Sequence, residues 1–306
     1  MDVSCCTGQE KHKKKSILLL TDLGSMWVGS RVSSELAAAK SKVTSLMSFL
    51  KNVPSAYREG PWHPAAMTVL VLFTCFLLNS FNEAHENYNQ FVEPVGPEPQ
   101  WLDMYRLTCG IYCVLITCAL IYSTGIWPLC SYTITSWNLL TIRLLTSCTY
   151  FSKYTLFNIP VVKMISRIVK FPALVGCSIT VSVWWIVLVP LVYHLIGNDH
   201  SKRNGFTKFN SSFVLVNIHA LNLPIMLIEF LCSKARLTFF DLWAGFLFAF
   251  MYVIFYLAVL DRNGIHLYIV FTPRTIGALV TYPLVLLTHA LFFILFNYSI
   301  EVIQYS

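Results

Sequence analysis

The stretch FPALVGCSITVSVWWIVLVPLVYHLI, Phe171–Ile196, decides the fold, because it runs for twenty-six residues without an Asp, Glu, Lys or Arg. At ~1.5 Å per residue, a helix of this length crosses the ~30 Å hydrocarbon core of a bilayer. No water reaches the backbone there, so every N–H and C=O has to be satisfied within the segment, and that makes it a helix. Six more charge-poor runs read the same way: Ala65–Asn82, Leu107–Tyr122, Leu129–Phe151, Phe209–Leu231, Leu242–Leu260 and Thr275–Ile300. The expectation is an all-α, polytopic transmembrane helix bundle of about seven spans. It fills residues 65–300, behind an amphiphilic lead-in at residues 1–64.

Composition agrees. Hydrophobic residues make up 56% of the 306 and charged residues 12%, with a mean hydropathy of +0.61. A soluble chain has about a quarter of its residues charged, because its surface faces water. The net charge of +7 does not point to nucleic acid, since much of the excess lies ahead of the first run. Lys11, Lys13, Lys14, Lys15, Arg31, Lys40, Lys42, Lys51 and Arg58 form the kind of basic segment that an anionic cytoplasmic leaflet attracts. Within that segment, Leu36, Val43, Met47 and Leu50 recur at helical spacing, which reads as a helix lying on the membrane surface, with a frayed tail as the alternative.

The loop after the first run is acidic, with Glu83, Glu86, Glu93, Glu98 and Asp103. The positive-inside rule therefore sets the N-terminus in the cytosol and that loop outside. Seven spans would then also put Lys153, Lys163, Arg167 and Lys170 outside, against the rule. Either that loop lies along the headgroups or one run does not cross. A multi-pass protein of the plasma membrane or endoplasmic reticulum is expected.

Most of the ten cysteines fall in apolar runs, where they serve as small buried hydrophobes. Cys5 and Cys6 precede the Lys11–Lys15 cluster and are the candidates for lipidation. No CxxC pair or Cys/His cluster has metal-site spacing, so neither zinc nor a disulfide framework is supported, and the reading implies no metal or organic cofactor. Asn210-Ser-Ser212 matches a glycosylation acceptor but abuts a span.

Polar groups at bilayer depth are costly, so function is sought among them. The run Phe209–Leu231 holds Asn217, His219, Asn222, Pro224 and Glu229. Pro224 removes the bond to the carbonyl of Ala220, so the helix should distort beside His219 and open polar backbone into the bundle. The third run opens with Ser131-Tyr-Thr-Ile-Thr-Ser-Trp-Asn138, and counting residues in from each run's start sets Thr135 and His219 at similar depths. A hydroxyl beside an imidazole is the minimal nucleophile and base pair. Asn138 and Asn222 are candidate donors to an oxyanion. Arg143 is expected to snorkel or to pair with a carboxylate such as Glu229. His289 is expected to pack, and Asp261-Arg-Asn-Gly264 to form an ordinary turn.

His219-Ala-Leu-Asn-Leu-Pro-Ile-Met-Leu-Ile-Glu229 resembles the most distinctive stretch of the androgen-induced and androgen-dependent TFPI-regulating protein family. That stretch has a His, a Pro five residues later and an aliphatic run ending in Glu. Thr135-Ser-Trp-Asn138 is similar to that family's Leu-Thr-aromatic segment, and Phe171-Pro172 with Trp184 or Trp185 fits the span between. The resemblance covers about residues 104–300. It implies a multispan hydrolase of lipid esters, among them fatty acid esters of hydroxy fatty acids, with Thr135 as nucleophile, His219 as base and membrane lipid as its surroundings. Leu260 and Asp261 stand where family members have a His pair. The Tyr132–Asn138 stretch is equally similar to the rolling stone proteins, which implies the alternative of a non-enzymatic protein of adhesion or fusion. The oligomeric state is not readable from the sequence.

Overall fold

The computed structural model describes residues 60–89, 98–148, 160–261, 272–274 and 276–305, all within one compact unit, Val53–Ser306. Cys5, Cys6, the basic cluster, the surface helix, Lys153 and the end of the turn at Gly264 lie outside the described residues. Every described element is helical. In chain order they are α1 (Pro64–Asn79), α2 (Phe81–Asn89), α3 (Trp101–Thr124), a short 3-10 turn (Trp127–Cys130) and α4 (Tyr132–Ser147). Then come α5 (Pro160–His194), α6 (His200–Asn210), α7 (Phe213–Ser233), α8 (Phe239–Leu260) and α9 (Gly277–Tyr305).

The protein is a multi-pass membrane protein. Among the described residues five helices, α3, α5, α7, α8 and α9, are long and apolar enough to cross a bilayer. Together α1 and α2, bent by 44° where they meet, would make a sixth. Among the described residues the expected count of about seven is not confirmed, and α4 accounts for the difference. The run Leu129–Phe151 breaks first into the 3-10 turn, then into a helix of only 16 residues, about 24 Å long.

α4 lies inside the bundle, where a short polar helix is sheltered from lipid. Half of it is buried, from Ile134 and Trp137 to Arg143 and Leu144. Its neighbours press close. A Cβ on Gly176 of α5 would come within 2.7 Å of Ser136 Oγ, and one on Gly110 of α3 would meet the Leu145 side chain. Small residues at such crossings let membrane helices pack backbone to backbone, where van der Waals contact does the work.

At one end of the bundle, His63 N donates to Pro273 O (2.7 Å) and Tyr252 Oη to Cys130 O (3.1 Å). Asp261, the first residue of the expected turn, lies there. It is buried, accepts from Trp62 Nε1 (3.1 Å) and pairs with Arg274, so it ties the start of α1 to the end of α8.

The opposite end holds buried charge. Glu229 Oε1 accepts from Arg143 (2.7 Å) and Arg106 (3.2 Å), which bears out the expected Arg143–Glu229 pair and adds a second guanidinium. Arg106 is also held by Glu98 at 2.7 and 2.9 Å, and Arg143 by Ser166. Helices α3, α4, α5 and α7 are thereby joined at one point.

The conflict with the positive-inside rule eases here as well. α5 begins at Pro160, not Phe171, and Lys170 lies buried, donating to Arg236 O (2.8 Å) beside Asp241 (3.9 Å). Arg167 sits over the Tyr88 ring at 4.7 Å and donates to Asn87 O (3.2 Å). Cations consumed inside the protein do not weigh on topology as those of a solvated loop do.

Candidate functional site

His219 lies in α7, about 9 Å along the helix from Phe213, and is 6% exposed. The distortion expected from Pro224 takes the form of a π-helical segment, Asn217–Leu221, one turn upstream. A second π segment, Val183–Leu188, interrupts α5 directly opposite. A π turn inserts a residue into the helical ladder and turns side chains and carbonyls out of register, and such segments gather at functional sites. The two meet at the imidazole. Trp184 stacks on the His219 ring with centroids 3.8 Å apart and planes 24° from parallel. Trp185 Nε1 donates to the His219 carbonyl at 2.7 Å, which satisfies backbone that the π turn has opened.

The ring's tautomer follows from its partners. His219 Nδ1 lies 3.3 Å from Leu215 O, and a carbonyl only accepts, so Nδ1 carries the proton. Nε2 of the neutral ring then bears a lone pair, and facing it at 3.5 Å is Thr133 Oγ1. That distance is the outer limit of a hydrogen bond, as is common between a nucleophile and its base before substrate arrives.

Thr133 belongs to the first turn of α4, which Ser131 caps by accepting from Ile134 N (3.3 Å). Thr135 is two residues further on, about 200° around the helix. Its Oγ1 donates to Ser131 O at 3.0 Å, as threonines in membrane helices commonly do. Depth brought the right turn of α4 to His219, but azimuth selects Thr133. The oxyanion candidates also separate. Asn138 accepts from Thr117 Oγ1 (3.4 Å) on α3. Asn222 is fully buried one turn beyond His219. Its Oδ1 accepts from Leu223 N (2.8 Å), and its Nδ2 has no partner among the described residues.

Three contributors escaped the sequence reading of the site: Thr133 in its role, Trp184 and Asn210. Asn210 is buried and accepts from Trp184 Nε1 at 2.8 Å, so it holds the indole over the imidazole instead of facing a glycosylation enzyme. The signal was present in the paired Trp residues inside an apolar run, because a buried indole N–H needs an acceptor. His289, as expected, packs: its ring lies against Phe246 and Nδ1 meets Val285 O at 2.7 Å. Among the described residues no group of His, Cys, Asp and Glu could hold a metal ion. Compared with family models, with curated proteins and with solved structures, the chain matches none.

Proposed function

We propose that the protein is a membrane-embedded hydrolase of lipid esters, with Thr133 as nucleophile and His219 as base. The observation that carries this reading is the facing of Thr133 Oγ1 and the unprotonated Nε2 where two π segments meet. In the proposed reaction, Oγ1 attacks the ester carbonyl carbon as its proton passes to Nε2. The tetrahedral intermediate collapses, the ester C–O bond breaks, and the alcohol leaves with the proton from Nε2. Water then attacks the acyl-threonine, gives a proton to Nε2, and releases the acid as Thr133 regains its hydrogen.

The first turn of α4 leaves N–H groups without intrahelical acceptors, and its positive end lies beside Thr133; both favour negative charge on the carbonyl oxygen. Asn222 Nδ2, without a partner among the described residues, is a further donor nearby in sequence. The family resemblance supports the same reaction class and points to fatty acid esters of hydroxy fatty acids, although it assigns the nucleophile to Thr135. The alternative, a non-enzymatic contact protein of the rolling stone type, draws support from Thr135 itself, whose hydroxyl is spent on its own helix.

Labelling the purified protein with a fluorophosphonate probe and mapping the modified peptide separates the two. A label on Thr133 that vanishes in His219→Ala supports the hydrolase. A label on no hydroxyl of α4 supports the contact protein.

A further inference from the structure

We infer that α6 is a docking surface for the headgroups of anionic phospholipids, with Arg203 and Lys208 as its cationic contacts. This does not depend on the hydrolase reading.

The placement comes first. α6 joins two apolar spans, α5 and α7, that emerge on the same side, so it lies where hydrocarbon gives way to headgroups. It is seated on the end of α5. Phe206 meets the Tyr193 ring edge-on at 5.2 Å, and Thr207 Oγ1 lies 2.8 Å from Tyr193 Oη. The sequence HSKRNGFTKFN then offers cations beside aromatic rings, the composition of an interfacial helix.

The charges of α6 are not balanced among the described residues. Lys202 pairs with Asp199, the helix cap, at 3.0 Å. Lys208 is exposed, and no other carboxylate lies in α6 or its cap. Arg203 is the distinctive member. Its position shares a helix face with Thr207 and Asn210, its side chain is half-buried, and, unlike Lys202, it forms no ion pair among the described residues. A guanidinium is a planar fork of donors that matches phosphate oxygens two at a time. At the opposite end of the bundle Arg106, Arg143 and Lys170 are cations too, yet each is buried against a carboxylate or carbonyl. The unmatched cations of α6 thus stand at headgroup depth, where the phosphodiesters of anionic lipids supply the missing acceptors.

The full-length protein, reconstituted in vesicles of phosphatidylcholine and phosphatidylglycerol in equal parts and re-extracted in mild detergent, should retain phosphatidylglycerol preferentially by native mass spectrometry. At ~1 kcal/mol per basic residue near an anionic surface, Arg203→Gln with Lys208→Gln should lower that preference roughly thirty-fold. Lys208→Gln alone, at an exposed position, should lower it about five-fold. Lys163→Gln with Lys234→Gln, at the opposite end, should leave it unchanged. The inference is overturned if the wild-type protein retains both lipids equally, if the α6 variants retain phosphatidylglycerol as the wild type does, or if the Lys163/Lys234 variant loses as much. It is also overturned if inorganic phosphate, titrated calorimetrically onto the detergent-solubilised protein, binds Arg203 while phosphatidylglycerol is not retained, since the site would then be one for small anions.

Discussion

Glu229 and His219 share one helix, α7, ten residues apart, and their surroundings differ in kind. Around Glu229, two guanidinium groups, a serine and a second carboxylate close a network that spans four helices. Charge buried this way is costly to expose and costly to leave half-paired, so the cluster fixes how the helices sit. Around His219 no charge partner stands among the described residues. A stacked indole, a carbonyl on Nδ1 and a distant hydroxyl on Nε2 hold the ring without using up its lone pair. One region sets its charges against one another, and the other offers a neutral ring with a lone pair. Depth in the membrane therefore does not by itself mark function, and neither does saturation, since Glu229 Oε2 and the Nε atoms of Arg106 and Arg143 are also buried without a hydrogen bond among the described residues. What separates the two regions is charge pairing.

The sharpest way to break this comparison is by turnover. Thr133→Ala and His219→Ala should each reduce hydrolysis of a lipid ester by roughly 10²–10⁴-fold, and the double variant should lose no more, because the two act as one unit. The melting temperature of Thr133→Ala should move little, as hydrogen bonds between membrane helices average only about 0.6 kcal/mol. His219→Ala also loses the stack on Trp184 and should fall about as Trp184→Ala does. Thr135→Ala should leave turnover intact. Turnover lost with Thr135→Ala and kept with Thr133→Ala would return the nucleophile to Thr135.

Next in size is the cost of opening the charge cluster. Glu229→Ala leaves Arg143 and Arg106 buried without their shared carboxylate and should destabilise the protein by about 3–5 kcal/mol. Thermal unfolding in detergent measures it. A variant that melts with the wild type would mean that the cluster does not hold the bundle, and the contrast with His219 would dissolve.

A smaller effect tests the indole. Trp184→Ala removes both the stack and the bond to Asn210 and should cost about 0.5–1.5 kcal/mol for the ring contact, with a fall in kcat as the imidazole loses its fixed plane. Trp184→Phe keeps a ring and loses the N–H, and should retain most of the stability. Equal turnover in all three proteins would make the stack mere packing.

The smallest effect lies outside the membrane. The backbone N–H of Lys202, and then its ammonium, hold the Asp199 carboxyl below the ordinary aspartate range. A depressed carboxyl contributes while ionised, so the cap on α6 is in place at and above the ordinary aspartate value. It is lost only as pH falls through the depressed one. An NMR titration of the Asp199 side-chain carbon should give a midpoint under that of an unstructured aspartate, and the midpoint should rise in Lys202→Ala.

Much of this was legible in the chain. The apolar runs gave the helices, because no other local structure satisfies a backbone in hydrocarbon. Pro224 announced a distortion beside His219, and Arg143 announced the need for a carboxylate. Helix ends were less legible, since charge marked the limits of Phe171–Ile196 while the helix itself extends back to Pro160, with Lys170 paired inside. The role of α4 was hidden for a related reason: lipid exposure belongs to neighbours, and a helix wrapped by α3, α5 and α7 need not be long enough to cross.

What the sequence by itself determined is the solvent of the protein, its helical class and the turn of each helix on which polar groups fall, all consequences of composition and of a fixed rise per residue. What only the tertiary structure decided is which side chains meet. Thr133 and Thr135 are equivalent by composition and nearly so by depth, but half a helical turn separates their directions. The packing of α4 against α5 and α7, together with the two π segments, turns only Thr133 toward the imidazole.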